Sequence, residues 1–292
     1  MVDRSLPGRL VDGLNYLILL LIAAACVLPF IYILASSLTA PEELIKGGFI
    51  LFPTKFSLIG YEYVLSTDII LSSLGVSILL TVVGTLANLL FTALMAYPLA
   101  QRDLMGGKLF MKLVVFSMLF SGGMIPTYLV VRYTGLLDSM ASLIIPGLIS
   151  AFNLIIMRTF FQQLPDGLEE AARIDGCSDI GILFRVVLPL SAPVLASLAL
   201  FYAVGHWNAY FNAVLYINDN TLWPIQVWLR QIVILSQGGI GDSTQFGEDF
   251  VPPPAETVKM AVIVLSTLPI LIVYPFLQKH FAKGALLGSV KG

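Results

Sequence analysis

Charge is the first thing this sequence lacks. Only 12% of its 292 residues are Asp, Glu, Lys or Arg, while 58% are hydrophobic, and the mean hydropathy is +0.90. A water-soluble domain carries about 25% charged residues. With half that supply the outer surface must face something other than water. There are 2 cysteines, Cys26 in the first apolar run and Cys177 in a polar segment, so no disulfide framework is expected. The only histidines, His206 and His280, lack metal-ligand spacing, and no H-E-x-x-H occurs. Neither a phosphate loop of the form G-x-x-x-x-G-K-[ST] nor a G-x-S-x-G nucleophile elbow is present. The chain is therefore not expected to be an enzyme: no catalytic or metal-binding residue is assigned, and it should not hydrolyse ATP alone. Acids are scarce within the apolar runs, with Asp138 at a helix end. Proton-driven carriers place ionisable groups inside the membrane, so any active transport would draw its energy from another chain.

What the sequence has in abundance is long apolar runs. A spanning helix needs about 20 mostly apolar residues, and six segments qualify: Leu14–Ser37, Ile69–Ala100, Leu109–Val131, Leu136–Phe161, Ser191–Ile217 and Thr257–Leu277. The first begins like a signal peptide, after Arg4 and Arg9, and continues past Cys26 through Pro29 and Leu34. That is well beyond a signal peptide's apolar core of about 7–15 residues, so it is read as a retained helix. The expectation is one all-α membrane domain over residues 1–292 with six transmembrane helices. Placing both termini in the cytoplasm puts eleven of the 16 lysines and arginines inside, as the positive-inside rule requires.

Two polar segments are too long for tight turns: 164–190, expected inside, and 218–256, expected outside. Loops longer than about 12–15 residues are usually functional or disordered. The inner one opens Leu164-Pro165-Asp166-Gly167-Leu168-Glu169-Glu170-Ala171-Ala172-Arg173-Ile174-Asp175-Gly176. Pro165 and Asp166 suit a helix start, Glu169 and Glu170 favour its positive end, and Gly176 suits its C-terminal cap. Glu169 and Arg173 are spaced as an i, i+4 pair. Leu168, Ala171, Ala172 and Asp175 share a face, where the two alanines admit close approach by another surface. Ser178 can cap a second helix to Val187. The blander alternative is an interfacial hairpin that merely joins two spans.

The full spacing resembles the E-A-A-x-x-x-G-x9-I-x-L-P signature of permeases in binding-protein-dependent ABC importers. Glu170, Ala171, Ala172, Gly176, Leu188 and Pro189 fall in register, and Val186 replaces the usual Ile. Further likeness to MalG-type carbohydrate permeases lies in Pro41-Glu42-Glu43, Phe56-Ser57-Leu58 with Tyr61, Gly122 through Tyr128, Gly135 through Ser139, and the tail from Phe281 to Gly292. His206-Trp207-Asn208 and the tail are similar to the LplC-type branch, which includes permeases for oligosaccharides of acidic polysaccharides such as alginate or pectin.

This resemblance implies a type I ABC importer permease (MetI-like) fold in a bacterial plasma membrane. It implies four kinds of partner: a second, non-identical permease; a cytoplasmic ABC ATPase dimer holding ATP and Mg; an extracytoplasmic solute-binding protein; and the oligosaccharide itself. The chain itself would bind no cofactor and no nucleic acid. Glu170, Ala171, Ala172, Asp175, Gly176, Leu188 and Pro189 would couple to the ATPase. An importer of the same architecture for a peptide or polyamine is the alternative, and a free-standing channel or membrane enzyme a more distant one.

His206, Trp207, Asn208, Tyr210, Phe211 and Asn212 crowd one stretch of the fifth span. About 15 residues from Ser191 at 1.5 Å each put them in the outer half of the membrane. Amides bond sugar hydroxyls and aromatic rings stack on sugar C–H faces, so this is the candidate substrate path. An aromatic belt with asparagines bonding between helices is the equal alternative, and interhelical bonding is the favoured role for Asn88 and Asn153. In the outer loop Gly239, Asp242 and Glu248 resemble the segment that MalG-type permeases insert into their binding protein. A plain acidic linker is the alternative. The tail 279–292 is expected inside, near the ATPase.

Overall fold

The computed structural model describes residues 6–238 and 255–289. Helices account for nearly all regular structure among them, with one isolated antiparallel bridge, Thr39 to Phe56, and no strand. The binding-protein-contact residues proposed above, Gly239, Asp242 and Glu248, lie outside the described residues.

Three apolar helices are long enough to span unaided: α1 (Leu6–Ser37), α4 (Asp68–Ala100) and the first part of α15 (Ala255–Ser289). The expected spans over 109–131, 136–161 and 191–217 are not continuous. The third is α5 (Gly107–Leu119) and α6 (Met124–Tyr133), bent by 114°. Gly122-Gly123 stands at the bend with Gly123 at φ 88°, where a side chain would be strained, and Pro126 follows in the first turn of α6. The fourth is α7 (Ala141–Ile144), its 3₁₀ extension Ile145–Gly147, and α8 (Ala151–Phe161), bent by 56° where Pro146 interrupts the ladder and Ser150 caps the next helix. The fifth is α12 (Ala192–Trp207), bent by 85° at Ser191 from the helical run Asp179–Leu190 before it, and followed after Asn208–Tyr210 by the separate helix α13 (Phe211–Tyr216). Counting each bent pair once gives six spans. Irregular backbone at membrane depth is tolerated where it is buried in protein or lines a cavity.

The chain forms two compact units. One comprises Met1–Asp68 with Leu229–Thr267. Here the side chains of α1 from Leu10 to Leu34 are almost all exposed, so lipid or another membrane chain is their solvent. Its end is tied down: Ser37 Oγ lies 2.7 Å from the Tyr61 hydroxyl, and Ser57 N donates to Leu38 O at 2.9 Å. After the short helix α2 (Pro41–Ile45), Glu43 accepts the backbone N–H groups of Thr54 and Lys55. The Thr54 side chain, more than these backbone bonds, holds that carboxyl below the usual range. In α3 (Ile59–Ser66), Gly60 passes so close to α15 that a Cβ there would sit 3.0 Å from Thr257 Cγ2.

The other unit, Ile69–Trp228 with Leu268–Gly292, carries both candidate sites. One apolar cluster joins the end of α4 (Ala93, Ala96, Tyr97) to Leu154, Met157 and Phe161 of α8, Leu198 of α12, and the 164–190 segment. A second gathers Leu80, Val131, Leu143, Tyr216 and Val227. Beside the second cluster Asp138, at φ 56°, fastens two loops. Its N–H donates to Tyr216 O at 2.9 Å, and its carboxylate accepts the backbone N–H groups of Asn218 and Asp219 and the Asn218 amide. Bonding to Asn218 lowers that carboxyl's pKa.

Candidate functional site

The 164–190 segment is a helical hairpin. α9 (Asp166–Ile174) ends in a Schellman closure: Cys177 N donates to Ala172 O and Gly176 N to Arg173 O, each at 3.0 Å, with Gly176 at φ 79°. Ser178 caps α10 (Asp179–Ile182) by accepting from Gly181 N at 3.3 Å. The helix continues through a π turn, Leu183–Val187, into α11 (Leu188–Leu190). Pro189 has no N–H to return to the preceding turn, and the ladder widens ahead of it.

The side chains sort differently from the sequence expectation. Arg173 pairs with Asp179 across the turn at 3.3 Å, which also holds its guanidinium more firmly protonated. Glu169 turns away from Arg173 and accepts Gln101 Nε2 at 2.9 Å and the Tyr97 hydroxyl at 3.3 Å, both at the end of α4. Ala172 does not share an open face with Ala171. It is buried against Tyr97, Ile182 and Val187, so it seats the hairpin on its own bundle. Glu170, Ala171, Asp175, Gly176 and Pro189 remain exposed and Leu188 half-buried. Beside them stand two isoleucines that the motif does not mark, Ile174 at 87% exposure and Ile180 at 68%.

The end of α4 is held from a second side, where Arg158 Nε donates to Leu99 O at 2.7 Å and Gln162 to Ala100 O at 3.3 Å. These groups satisfy carbonyls that a helix C-terminus leaves open. In the sequence Arg158 is simply one of the eleven charges placed inside. Its spacing from α4 in the chain left no local signal of this role.

The second site is a polar cavity of about 460 Å³, lined by Asn88, Gly147, Ser150, Asn153, Tyr202, His206, Asn208, Tyr210 and Asn212 among others. Asn88 is its hub. Its amide donates to Gly147 O at 2.7 Å and Leu148 O at 2.9 Å, and its Oδ1 lies 2.7 Å from His206 Nε2. The imidazole fits because residue 84, one turn before Asn88, is glycine: a Cβ there would stand 2.5 Å from His206 Nε2. The Tyr202 hydroxyl accepts Ser150 N at 3.2 Å and meets Thr92 Oγ1 at 2.8 Å. Asn153 differs. It is 5% exposed, and among the described residues its side chain meets no hydrogen-bond partner. Asn88 therefore bonds between segments as its sequence context suggested, whereas Asn153 does not. Trp207 departs from its sequence neighbours: it is buried, away from the polar cavity, lining an apolar cleft with Ile78, Val82 and Pro269.

Within residues 69–228, bent apolar helices, a closed hairpin and an uncharged polar cavity are the features of a membrane transport subunit. The family described as binding-protein-dependent transport system inner membrane component matches residues 90–286, and the chain belongs to it. Members are transport subunits rather than enzymes, and such systems include a solute-binding protein and an ATPase. The chain is 58% identical to the polygalacturonan/rhamnogalacturonan transport system permease protein YtcP of Bacillus subtilis, over 98% of this chain and all of that one. It is 57% identical to protein LplC of the same organism, over 100% of this chain and 98% of that one. Among solved structures, a chain of a bacterial ABC transporter involved in the import of the acidic polysaccharide alginate superposes with a TM-score of 0.90 and 32% identity. The match covers 96% of this chain and 100% of that one. The all-α, MetI-like permease fold follows from these matches.

Proposed function

We propose that this chain forms one half of the translocation path of an ATP-driven importer of acidic oligosaccharides, paired with a second, non-identical permease. The 164–190 hairpin is the seat for a cytoplasmic ATPase dimer, which places both termini inside. Glu170 makes a charged contact in the ATPase cleft, Ala171 allows close approach, and Asp175, Gly176, Leu188 and Pro189 shape the hairpin that carries the load. The observation that carries this reading is the pair Ile174 and Ile180, largely exposed on a hairpin otherwise clamped to the bundle. An apolar edge on a polar hairpin is a surface for a protein. Closure of the ATPase dimer on ATP would displace the hairpin, and Glu169 would pass that motion to Gln101 and Tyr97 of α4.

Further along the same helix, Asn88 bonds His206 at the cavity, so motion of α4 bears on the proposed substrate path through His206, Asn208, Tyr210 and Asn212, with Asn153 added and Trp207 set aside. No Lys, Arg, Asp or Glu lines this cavity among the described residues. It is suited to sugar hydroxyls, and we assign selection for carboxylates to the binding protein and the second permease. Gly239, Asp242 and Glu248 remain the proposed contact with the binding protein.

The test is affinity purification of the tagged chain from native membranes. The ATPase and a second permease should co-purify, and the chain alone should move no sugar into liposomes. Sugar flux through the isolated chain would refute the reading.

A further inference from the structure

A third feature lies outside both sites. A cleft of about 820 Å³ opens between the loop after α4, the first turns of α5 and the end of α8. Lys108 and Lys112, one helical turn apart on α5, line it together with Arg102 and Arg158, and none of its lining residues is acidic. Among the described residues neither lysine has an ion-pair partner, and Arg158 makes one bond, through Nε, which leaves its other N–H groups undonated. Lys108, Lys112 and Arg158, three like charges without an ion pair among the described residues, repel one another, and their arrangement lasts best with an anion among them. The remaining wall is apolar, built from Leu104, Met111 and Val115. A free inorganic anion has no use for that wall. An amphiphile with a phosphate head and an acyl tail uses both.

We infer that this cleft binds the headgroup of an anionic phospholipid, with Lys108, Lys112 and Arg158 around the phosphate and the acyl chains along Met111 and Val115. On the orientation proposed above, the lipid belongs to the inner leaflet, where polybasic clusters attract anionic headgroups. Arg158 also caps α4, the helix on which the hairpin bears. A bound phosphate would hold that guanidinium in place, so lipid composition would tune coupling.

The experiment uses the assembled importer in nanodiscs of phosphatidylcholine, with or without phosphatidylglycerol, and reads lipid retained on the intact complex by mass spectrometry. The wild type should retain phosphatidylglycerol over phosphatidylcholine. Each cation removed should weaken that preference about fivefold, so Lys108→Gln with Lys112→Gln should nearly abolish it. Both lysines are exposed, so the double variant should fold normally. Arg132→Gln, which removes the same kind of charge from the last turn of α6, should change nothing. Equal retention of both lipids by the wild type, or an unchanged preference in the double variant, overturns the assignment. Displacement of phosphatidylglycerol by inorganic phosphate alone overturns it too, because the site would then take the bare anion. None of these outcomes depends on which solute the importer carries, so the sugar reading stands or falls separately.

Discussion

The hairpin at 164–190 and the cavity around Asn88 are held by opposite means. The hairpin closes on bonds between near neighbours, with Ser178, the Gly176 turn and the Arg173–Asp179 pair all within residues 172–181, and it turns polar and apolar groups outward. The cavity closes on bonds between segments some 60 to 120 positions apart, Asn88 to Gly147 and His206 to Asn88, and keeps at its wall an amide, Asn153, that no described residue bonds. On the proposed reading the hairpin is a stiff part that is moved, and the cavity is a shape that motion can change. Substitutions at the hairpin's outer edge should therefore leave the fold intact and stop transport, while those behind the cavity should alter both.

The largest effect is expected from Glu170→Lys. This exposed residue makes no described bond within the chain, so insertion and thermal stability should match the wild type while sugar import falls to background and ATP hydrolysis no longer responds to loaded binding protein. Import at the wild-type rate would remove the coupling role. Gly84→Val should come next, because its side chain takes the space of the His206 ring. Overpacking of this kind costs about 1–3 kcal/mol, to be read as a lowered melting temperature together with lost import. Gly75, on the same helix, has open space at its Cβ, so Gly75→Ala should cost little.

Asn153→Ala sharpens the contrast. It removes an amide with no partner in the chain, so stability should hold or rise slightly, yet one lost bond to sugar should weaken transport about tenfold. A loss of stability with transport intact would make Asn153 structural. The smallest effect is expected at Asp138. Its folded carboxyl has a lowered pKa, so it adds stability above the ordinary carboxylate range and loses it as pH falls through the folded value. Asp138→Asn should flatten that acid limb of a melting-temperature profile. An unchanged profile would show that the loop fastening carries no titrating share.

Much of the fold was legible because bilayer thickness sets segment length: α1, α4 and α15 fall where apolar runs of sufficient length occur. The three broken spans were not, although Gly122-Gly123, Pro146-Gly147 and the Ser191–Pro193 stretch mark the bends. Hydropathy averages over a window and is blind to a local change of direction. In the hairpin, Gly176 and Ser178 behave as their local chemistry dictates. Glu169 and Ala172 do not, because helix spacing shows which residues share a face and leaves open which face meets the bundle. His206, Asn208, Tyr210 and Asn212 were found as a contiguous polar and aromatic run, and Trp207 was taken with them, since a run ignores the helical turn that points it elsewhere. Asn153 and Gly84 needed three dimensions.

An ATPase seated on the outer edge of the hairpin at the cytoplasmic side can be detected with an Ala171→Cys probe in a Cys26→Ala, Cys177→Ser background, labelled with a membrane-impermeant thiol reagent. Label should enter only from the cytoplasmic face, in inverted vesicles stripped of the ATPase, and the restored ATPase dimer should block it. Labelling from outside in intact cells, or labelling indifferent to the ATPase, would contradict the account.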